Sequence, residues 1–362
     1  MNPNNPLQQL KTLGQHIWLD NLSRTHLEEG VLERLIREDG IDGVTSNPAI
    51  FEKAIATSPY YRADLERLRG EVRSPEARYE ALVIPDVRTA CDLLAPIHAA
   101  SAGETGYVSL EVSPALAHDA AGTVAAARRL RDAVARDNLL IKVPATPAGL
   151  VAFEQLTAVG VPVNVTLIFS LAQHAAVSDA YLRGAQAWIA NGGDARRLRA
   201  VASVFLSRVD TLIDQRLDAI GTPEAAALKG QSGVALAKRC YRQYLDHFHG
   251  PAFTTLRAAG VRPQTPLWAS TGTKNPAYSD VLYVEPLIGP ETINTLPDAT
   301  LAAFRDHGRV APTLIEGMEA AAAHIAALAE FGIDLDDVGE ALQTQGVRLF
   351  AEAYDKLLAA VA

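Results

Sequence analysis

Short apolar runs recur along the chain, with room for at least one helix between most of them. They fall at 17–22 (IWLDNL), 43–46 (GVTS), 107–112 (YVSLEV), 139–144 (LLIKVP), 162–168 (PVNVTLI), 201–206 (VASVFL), 266–271 (PLWAST) and 281–287 (VLYVEPL). Runs this continuous predict strands covered on both faces, as in a parallel sheet. The intervening segments, for example 119–136 and 171–190, are rich in alanine and arginine and place apolar residues every three to four positions, which predicts amphipathic helices. Eight strand-then-helix units with no detectable linker predict an α/β chain, a (β/α)8 TIM barrel with additional helices, formed as one domain over 1–362. A doubly wound open sheet is the alternative. It would carry a glycine-rich phosphate loop after its first strand, and IWLDNLSR has none. Helical insertions are expected near 49–106 and 208–264, and 291–362 reads as wholly helical. Within that tail, 312–330 is the strongest helix candidate, stopped by Gly332. The basic stretch GDARRLRA (193–200) is expected to be a solvated helix face.

One position breaks the apolar pattern with a charge. Lys142 sits inside LLIKVP, between Ile141 and Val143. Lysine is rarely buried without a partner or a function, and the chain has only seven to place: Lys11, Lys53, Lys142, Lys229, Lys238, Lys274 and Lys356. A structural explanation, with the amine paired to a carboxylate or snorkelling from a strand end, has to be weighed against a catalytic one.

Composition narrows the choice. Hydrophobic residues make up 48% and charged residues 21% of 362 residues, with a formal net charge of −9. This is globular composition, and its sign argues against non-specific binding to nucleic acid. Cys91 and Cys240 lie in helical patterns without metal-like spacing, and are expected as free, partly buried thiols. The N-terminal MNPNNPLQQLKTLGQ lacks a signal pattern, and no stretch approaches the roughly 18 apolar residues of a membrane span. A soluble cytoplasmic protein is expected, with no membrane and no nucleic-acid partner.

In a barrel of this kind the functional site is built at the C-terminal ends of the strands. Asp20 and Asn21 end the first strand; Thr45, Ser46 and Asn47 end the second. Ser109 and Glu111 lie on the third, Lys142 on the fourth, Asn164 and Thr166 on the fifth, Ser203 on the sixth, and Glu285 on the predicted eighth. Asn164 and Thr166 are two apart and share a face, as do Ser109 and Glu111. A converging ring of this kind would satisfy its own buried polar groups. With one lysine and two carboxylates, Asp20 and Glu111, it also resembles a catalytic set. Burial favours the neutral form of an amine, and a neutral amine adds to a ketone and forms a Schiff base. The iminium then draws electrons from a neighbouring C–C bond. A general acid/base must move the protons, and Asp20 and Glu111 are the candidates. Asn47, Asn164, Thr166 and Ser203 could hold substrate hydroxyls. A metal-dependent barrel would want clustered His and carboxylate ligands. The histidines fall mainly in helical or loop patterns, so no metal is expected.

A phosphate-binding end is also visible. Arg208 follows the sixth strand and STGTK (270–274) the seventh. Small-residue backbone, a helix N-terminus and two cations suit a phosphate monoester. The structural alternatives are that Arg208 pairs with Asp210 or Asp214 and that Lys274 is an ordinary surface lysine.

Together these motifs resemble the transaldolase family, Schiff-base enzymes of the pentose phosphate pathway. The resemblance is carried by GVTSNPAIFEKAI (43–55), LLIKVPAT (139–146), VNVTLIFSLAQ (163–173) and SVFLSR (203–208), in order and each on its own predicted strand. It implies that Lys142 carries a dihydroxyacetone unit as a Schiff base and that Asp20 is the acid/base at the hydroxyl beside the broken bond. Glu111 and Thr166 would activate water, while Asn47, Asn164 and Ser203 bind hydroxyls. Phe205 would line the site, and Arg208 and Lys274, with Ser270, would hold the phosphate. Where many members carry an arginine in a shorter loop, this chain has TGTK, so Lys274 stands in its place and any of Ser270, Thr271 or Thr273 could meet phosphate. The implied reaction moves dihydroxyacetone from sedoheptulose 7-phosphate to glyceraldehyde 3-phosphate, giving erythrose 4-phosphate and fructose 6-phosphate. No cofactor is implied, and a monomer or homodimer is expected.

Three other readings compete. A fructose 6-phosphate aldolase without acceptor transfer would be much shorter, with different acid/base residues. A silent sugar-phosphate sensor would have lost Lys142 or Asp20. A nucleic-acid-binding role would need a basic, aromatic-lined groove.

Overall fold

The computed structural model describes residues 5–362. Its eight strands close into a parallel barrel in sequence order, each bonded to the next and β8 to β1. They are β1 Gln15–Leu19, β2 Gly43–Thr45, β3 Tyr107–Glu111, β4 Leu139–Pro144, β5 Val163–Ile168, β6 Ala200–Phe205, β7 Thr265–Ala269 and β8 Thr292–Leu296. Seven of these overlap the apolar runs. The wall is buried from both sides: every residue of β4, β5 and β6 is buried. The interior is filled tightly enough to dictate a glycine. A Cβ on Gly43 would lie 2.3 Å from the Trp18 indole, a distance no side chain tolerates.

The eighth strand is not 281–287. That run forms turns and a short 3-10 segment, Glu285–Leu287, closed by bonds from Leu282 to Ser279 and from Val284 to Val281. Val281, Tyr283, Val284 and Leu287 are buried, but Pro286 has no N–H to give to a ladder. The strand is Thr292–Leu296, inside the tail that read as wholly helical. Two of its polar side chains donate to the connection before it: Thr292 to the Gly289 carbonyl at 2.6 Å and Asn294 to the Tyr283 carbonyl at 2.9 Å. Glu285 is accordingly not at a strand end; it accepts the Arg309 N–H at 2.9 Å.

Two helix expectations also change. The helix expected at 312–330 spans only Met318–Glu330. Lys238 inserts its amine among the preceding carbonyls, donating to Thr313 at 2.7 Å and Glu316 at 2.6 Å, which takes those acceptors out of the helical ladder. In 193–200 only Ala195–Arg197 makes a single 3-10 turn. Arg199 is buried at the start of β6, bonded to Thr265 at 2.8 Å and 5.9 Å from the Tyr107 ring. The two cysteines are free and fully buried, and burial pushes the Cys91 thiol up to about 12.

The helices Pro48–Thr57, Arg62–Arg69 and Pro75–Ala100 lie between β2 and β3, and Ser207–Ile220, Pro223–Ala226, Ser232–Phe248 and Thr254–Ala258 between β6 and β7. The last helix, Leu335–Val361, crosses the C-terminal end of the barrel. Its Gln343 amide donates to the carbonyls of Ala145, just past β4, and Leu167, in β5 (2.9 and 3.2 Å).

Candidate active site

β3, β4 and β5 are in register so that Glu111, Lys142 and Asn164 form one row across the sheet. Only 5% of Lys142 is exposed. Its Nζ donates to the Ser46 carbonyl at 3.0 Å and lies 3.5 Å from Glu111 Oε2. Asn164 is locked on both sides: its amide donates to Ser109 Oγ at 3.2 Å, and its carbonyl accepts from Ser203 Oγ at 2.7 Å. One pleat further along β5 stands Thr166. There the register with β6 shifts between Val165 and Ile168, and Leu167 adopts a positive φ of 62°. A bulge of this kind re-aims side chains at a barrel rim.

Asp20 follows β1 and accepts from Thr45 Oγ1 at 2.7 Å, and Thr45 shares a second 2.7 Å bond with Thr295 of β8. Burial raises the pKa of Asp20 above the ordinary carboxylate value, opposed by the Thr45 hydroxyl and the charges of Lys142 and Lys274. Burial likewise raises Glu111, with the Lys142 charge opposing it and Asp20 adding to it. Asn47 caps the helix Pro48–Thr57 by accepting the Ile50 N–H at 3.0 Å. That commits its Oδ1 and leaves its Nδ2 without a protein partner among the described residues.

These groups surround a cavity of about 400 Å³. Lys142, Thr166 and Ser203 form its inner part, with Asp20, Thr45 and Asn47 along one wall. Phe205, Arg208, Ser270, Thr271, Gly272 and Lys274 line the opposite side, closed over by Leu349 and Phe350 of the last helix. Glu111 and Asn164 stand behind this lining. A larger surface hollow of about 760 Å³ lies elsewhere, between the helices Pro6–Thr12 and Val31–Asp39. None of the ring residues borders it.

Arg208 sits in the first turn of the helix Ser207–Ile220. It makes no ion pair among the described residues. Asp210 and Asp214 are bonded elsewhere, and Arg208 Nη1 is buried without a hydrogen-bond partner. Its guanidinium lies 5.9 Å from the rings of both Phe205 and Phe350, and burial lowers its pKa. Ser207 and Ser270 are joined twice, by a 2.8 Å hydroxyl pair and a 3.1 Å backbone bond, and Ser270 has φ 54°. The other hydroxyls of that loop are committed. Thr271 donates to the Thr295 carbonyl and Thr273 to the Ser279 carbonyl, each at 2.7 Å. Of the three loop hydroxyls, that of Ser270 is the one bonded to the helix carrying Arg208, through Ser207, and Lys274 is an exposed cation lining the same cavity.

Of the residues singled out in the sequence, Asp20, Thr45, Asn47, Lys142, Thr166, Ser203, Phe205, Arg208, Ser270, Thr271 and Lys274 line the cavity, while Glu111 and Asn164 do not line it but adjoin Lys142 in the sheet, and Asn21, Ser46, Ser109, Thr273 and Glu285 lie outside the lining. Sequence reasoning missed Thr295, because its strand was misplaced, and Leu349 and Phe350, which arrive from a helix more than 140 residues beyond β6. It also did not foresee the Ser46 carbonyl as the amine's acceptor.

A parallel barrel with a buried lysine beside a carboxylate, and an arginine without an ion pair lining the same cavity, defines the class of lysine-centred barrels. The chain belongs to the transaldolase/fructose-6-phosphate aldolase family, whose model matches residues 17–361. It is 58% identical over 357 residues to a transaldolase of Thiobacillus denitrificans, covering 99% of each chain. It is 48% identical to a transaldolase of Neisseria gonorrhoeae, with 98% of each covered, and 47% identical to one of Frankia alni, with 99% of this chain and 97% of that one covered.

Proposed function

We propose that the chain catalyses the transaldolase reaction through a Schiff base on Lys142. The observation that carries this reading is the placement of the Lys142 amine, 3.5 Å from Glu111, across one cavity from an arginine with no counter-ion.

The amine must be neutral to attack. Glu111, whose proton affinity burial has raised, is the nearest group able to take its proton. Addition to the donor's ketone carbon gives a carbinolamine, and loss of water gives the iminium. Glu111 and Thr166 handle that water. Asp20 then removes the proton of the hydroxyl on the far carbon of the breaking bond, whose oxygen becomes the carbonyl of the released aldose. The bond's electron pair moves into the iminium, leaving an enamine on Lys142 and releasing an aldose phosphate. The enamine attacks an acceptor aldehyde, Asp20 returns the proton, and hydrolysis frees the new ketose phosphate. Asn164, Ser203 and the free Asn47 amide hold the hydroxyls of the dihydroxyacetone unit, with Phe205 at its side. Arg208, Ser270 and Lys274 hold the phosphate. The same proposal places the enzyme in the cytoplasm, acting as monomer or homodimer on the sugar phosphates of the pentose phosphate pathway. Relatives named transaldolase along their whole length favour transfer over cleavage without an acceptor.

Borohydride trapping tests it. Fructose 6-phosphate, reduction and peptide mass spectrometry should show a dihydroxyacetone-sized adduct on Lys142 that Lys142→Met lacks. Addition of erythrose 4-phosphate should yield sedoheptulose 7-phosphate. A folded protein that forms no adduct would exclude the mechanism.

A further inference from the structure

The helix Ser207–Ile220 carries Asp210, Asp214 and Asp218, spaced by four and so stacked on one face. None of the three is explained by the chemistry above. Asp210 accepts from the Tyr283 hydroxyl at 2.7 Å and from the Gly233 N–H at 3.0 Å. Asp214 accepts from the Tyr278 hydroxyl at 2.7 Å and from the Gly230 N–H at 3.0 Å. The arrangement is therefore repeated: one carboxylate, one phenol and one backbone N–H at each level. Asp218 continues the ladder with Lys229 at 2.6 Å.

The glycines belong to the same construction. A Cβ on Gly230, whose φ is 72°, would stand 2.7 Å from Tyr278 Cζ. One on Gly233 would stand 2.9 Å from Asp210 Oδ2 and 3.1 Å from Tyr283 Cε1. Each ring packs directly on a bare backbone, so neither level accepts a side chain there.

Both tyrosines lie in the connection that follows β7, the segment that also holds Ser270 and Lys274. Arg208 lies at the start of the same helix as the aspartates. We propose that Asp210 and Asp214 are positioning residues that latch this connection onto the helix through Tyr283 and Tyr278, setting Ser270 and Lys274 at fixed spacing from Arg208. This rests on the reading that those three residues take the substrate's phosphate. A second consequence follows from the same bonds. Carboxylates two and six residues from Arg208 would otherwise compete with phosphate for it. Engaged by phenols and N–H groups, they leave the guanidinium open.

The test uses the full-length protein with Tyr278→Phe, which removes one hydroxyl from a partly exposed ring, and Gly230→Ala, which displaces that ring from the other side. Three quantities are read: KM for fructose 6-phosphate, the inhibition constant of inorganic phosphate, and the rate of borohydride-trapped adduct formation from dihydroxyacetone, which has no phosphate. The latch predicts that KM and the phosphate constant rise roughly tenfold, as expected when one well-aligned hydrogen bond is lost, while trapping of dihydroxyacetone on Lys142 is unchanged. A phosphate constant equal to that of the parent overturns the latch. So does a parallel fall in phosphate binding and dihydroxyacetone trapping, which would mean general loosening of the barrel. Absence of any adduct in the parent protein would overturn the functional reading itself, and the latch with it.

Discussion

Two clusters of buried charge sit in this barrel and are finished differently. Around Arg24 the hydrogen-bonding capacity is filled. Its Nε donates to Asp86 at 2.8 Å, Nη1 to Asp64 at 2.8 Å and to the Tyr60 carbonyl at 3.2 Å, and Nη2 to the Leu82 carbonyl at 2.8 Å. The Tyr61 ring lies 4.4 Å from the guanidinium, and its hydroxyl donates to the other oxygen of Asp86 at 2.7 Å. Around Lys142 the equivalent capacity is left open. Among the described residues, Thr166 Oγ1 and Arg208 Nη1 are buried without a hydrogen-bond partner, and Glu111 Oε2 has only the 3.5 Å approach of the Lys142 amine. Burying a polar group without a partner costs free energy, so a fold that tolerates several around one cavity is holding them for something else. The Arg24 cluster ties the first helix after β1 to the helix Pro75–Ala100. Under the proposed function, the Lys142 cluster supplies the donors and acceptors that the substrate completes. Unpartnered buried atoms also occur elsewhere, on Asp42, Arg131 and Arg199 for example; what sets this cluster apart is that Thr166 and Arg208 bring theirs to one cavity.

Removing the central group of each cluster should have opposite consequences. Lys142→Met should abolish both adduct and turnover while the protein still folds, because the amine's structural contacts are only its bond to the Ser46 carbonyl and the 3.5 Å approach to Glu111, and a buried carboxylate left without that charge can take up a proton. Retention of measurable transfer would break the comparison at its centre. Asp20→Asn should lower kcat by about 10² to 10⁴, the usual contribution of a positioned acid/base, again with the fold intact. Burial raises the folded pKa of both Asp20 and Glu111. As pH falls, the ring therefore loses its carboxylate charge earlier than unperturbed carboxylates near pH 4 would, and the acid limb of kcat/KM should lie above that range. The linkage to stability has the same origin. The native state holds these protons to higher pH than the unfolded chain, so this contribution to stability is present at low pH and is lost as pH rises through the folded pKa. In contrast, Asp86→Ala leaves the Arg24 charge buried without its main partner and should cost about 3–5 kcal/mol of stability. The protein that remains folded should keep its specific activity. A loss of activity per folded molecule would show that the two clusters are coupled.

How much of this contrast was legible beforehand depended on which signal each residue carried. Lys142 was visible because a charge interrupts an otherwise apolar strand. Asp20, Asn164, Thr166 and Ser203 were visible because a parallel barrel puts strand ends at one rim. Arg208 was visible as a cation at a helix start, but its lack of an ion pair was not, since Asp210 and Asp214 lie within reach along the chain and only the fold gives them to Tyr283 and Tyr278. The eighth strand was misplaced for a related reason. VLYVEPL is the more apolar segment, whereas TINTL is polar and earns its place in the wall through bonds such as Thr45 to Thr295, which join β2 to β8 across 250 residues. Leu349 and Phe350 follow the same rule. Periodicity says that a helix has an apolar face, but not which cavity that face will cover.

The smallest expected effect is the sharpest test of the difference between the clusters. Thr166 is fully buried, and its hydroxyl has no partner among the described residues. On structural grounds alone, Thr166→Val replaces a desolvated hydroxyl by a methyl of nearly the same shape, and should be neutral or stabilising by about 1 kcal/mol. On functional grounds it removes one of the two groups assigned to the water of imine formation and hydrolysis, so adduct formation and its breakdown should both slow while fructose 6-phosphate still binds. The two readouts must therefore move in opposite directions: unfolding temperature level or higher, single-turnover trapping slower. If the valine variant is instead destabilised, the hydroxyl is satisfied in the folded protein, by an ordered water for example, and belongs with the Arg24 kind of cluster. If it is stable and its trapping rate is unchanged, then Glu111 alone manages the water, and the open valence at Thr166 serves another step.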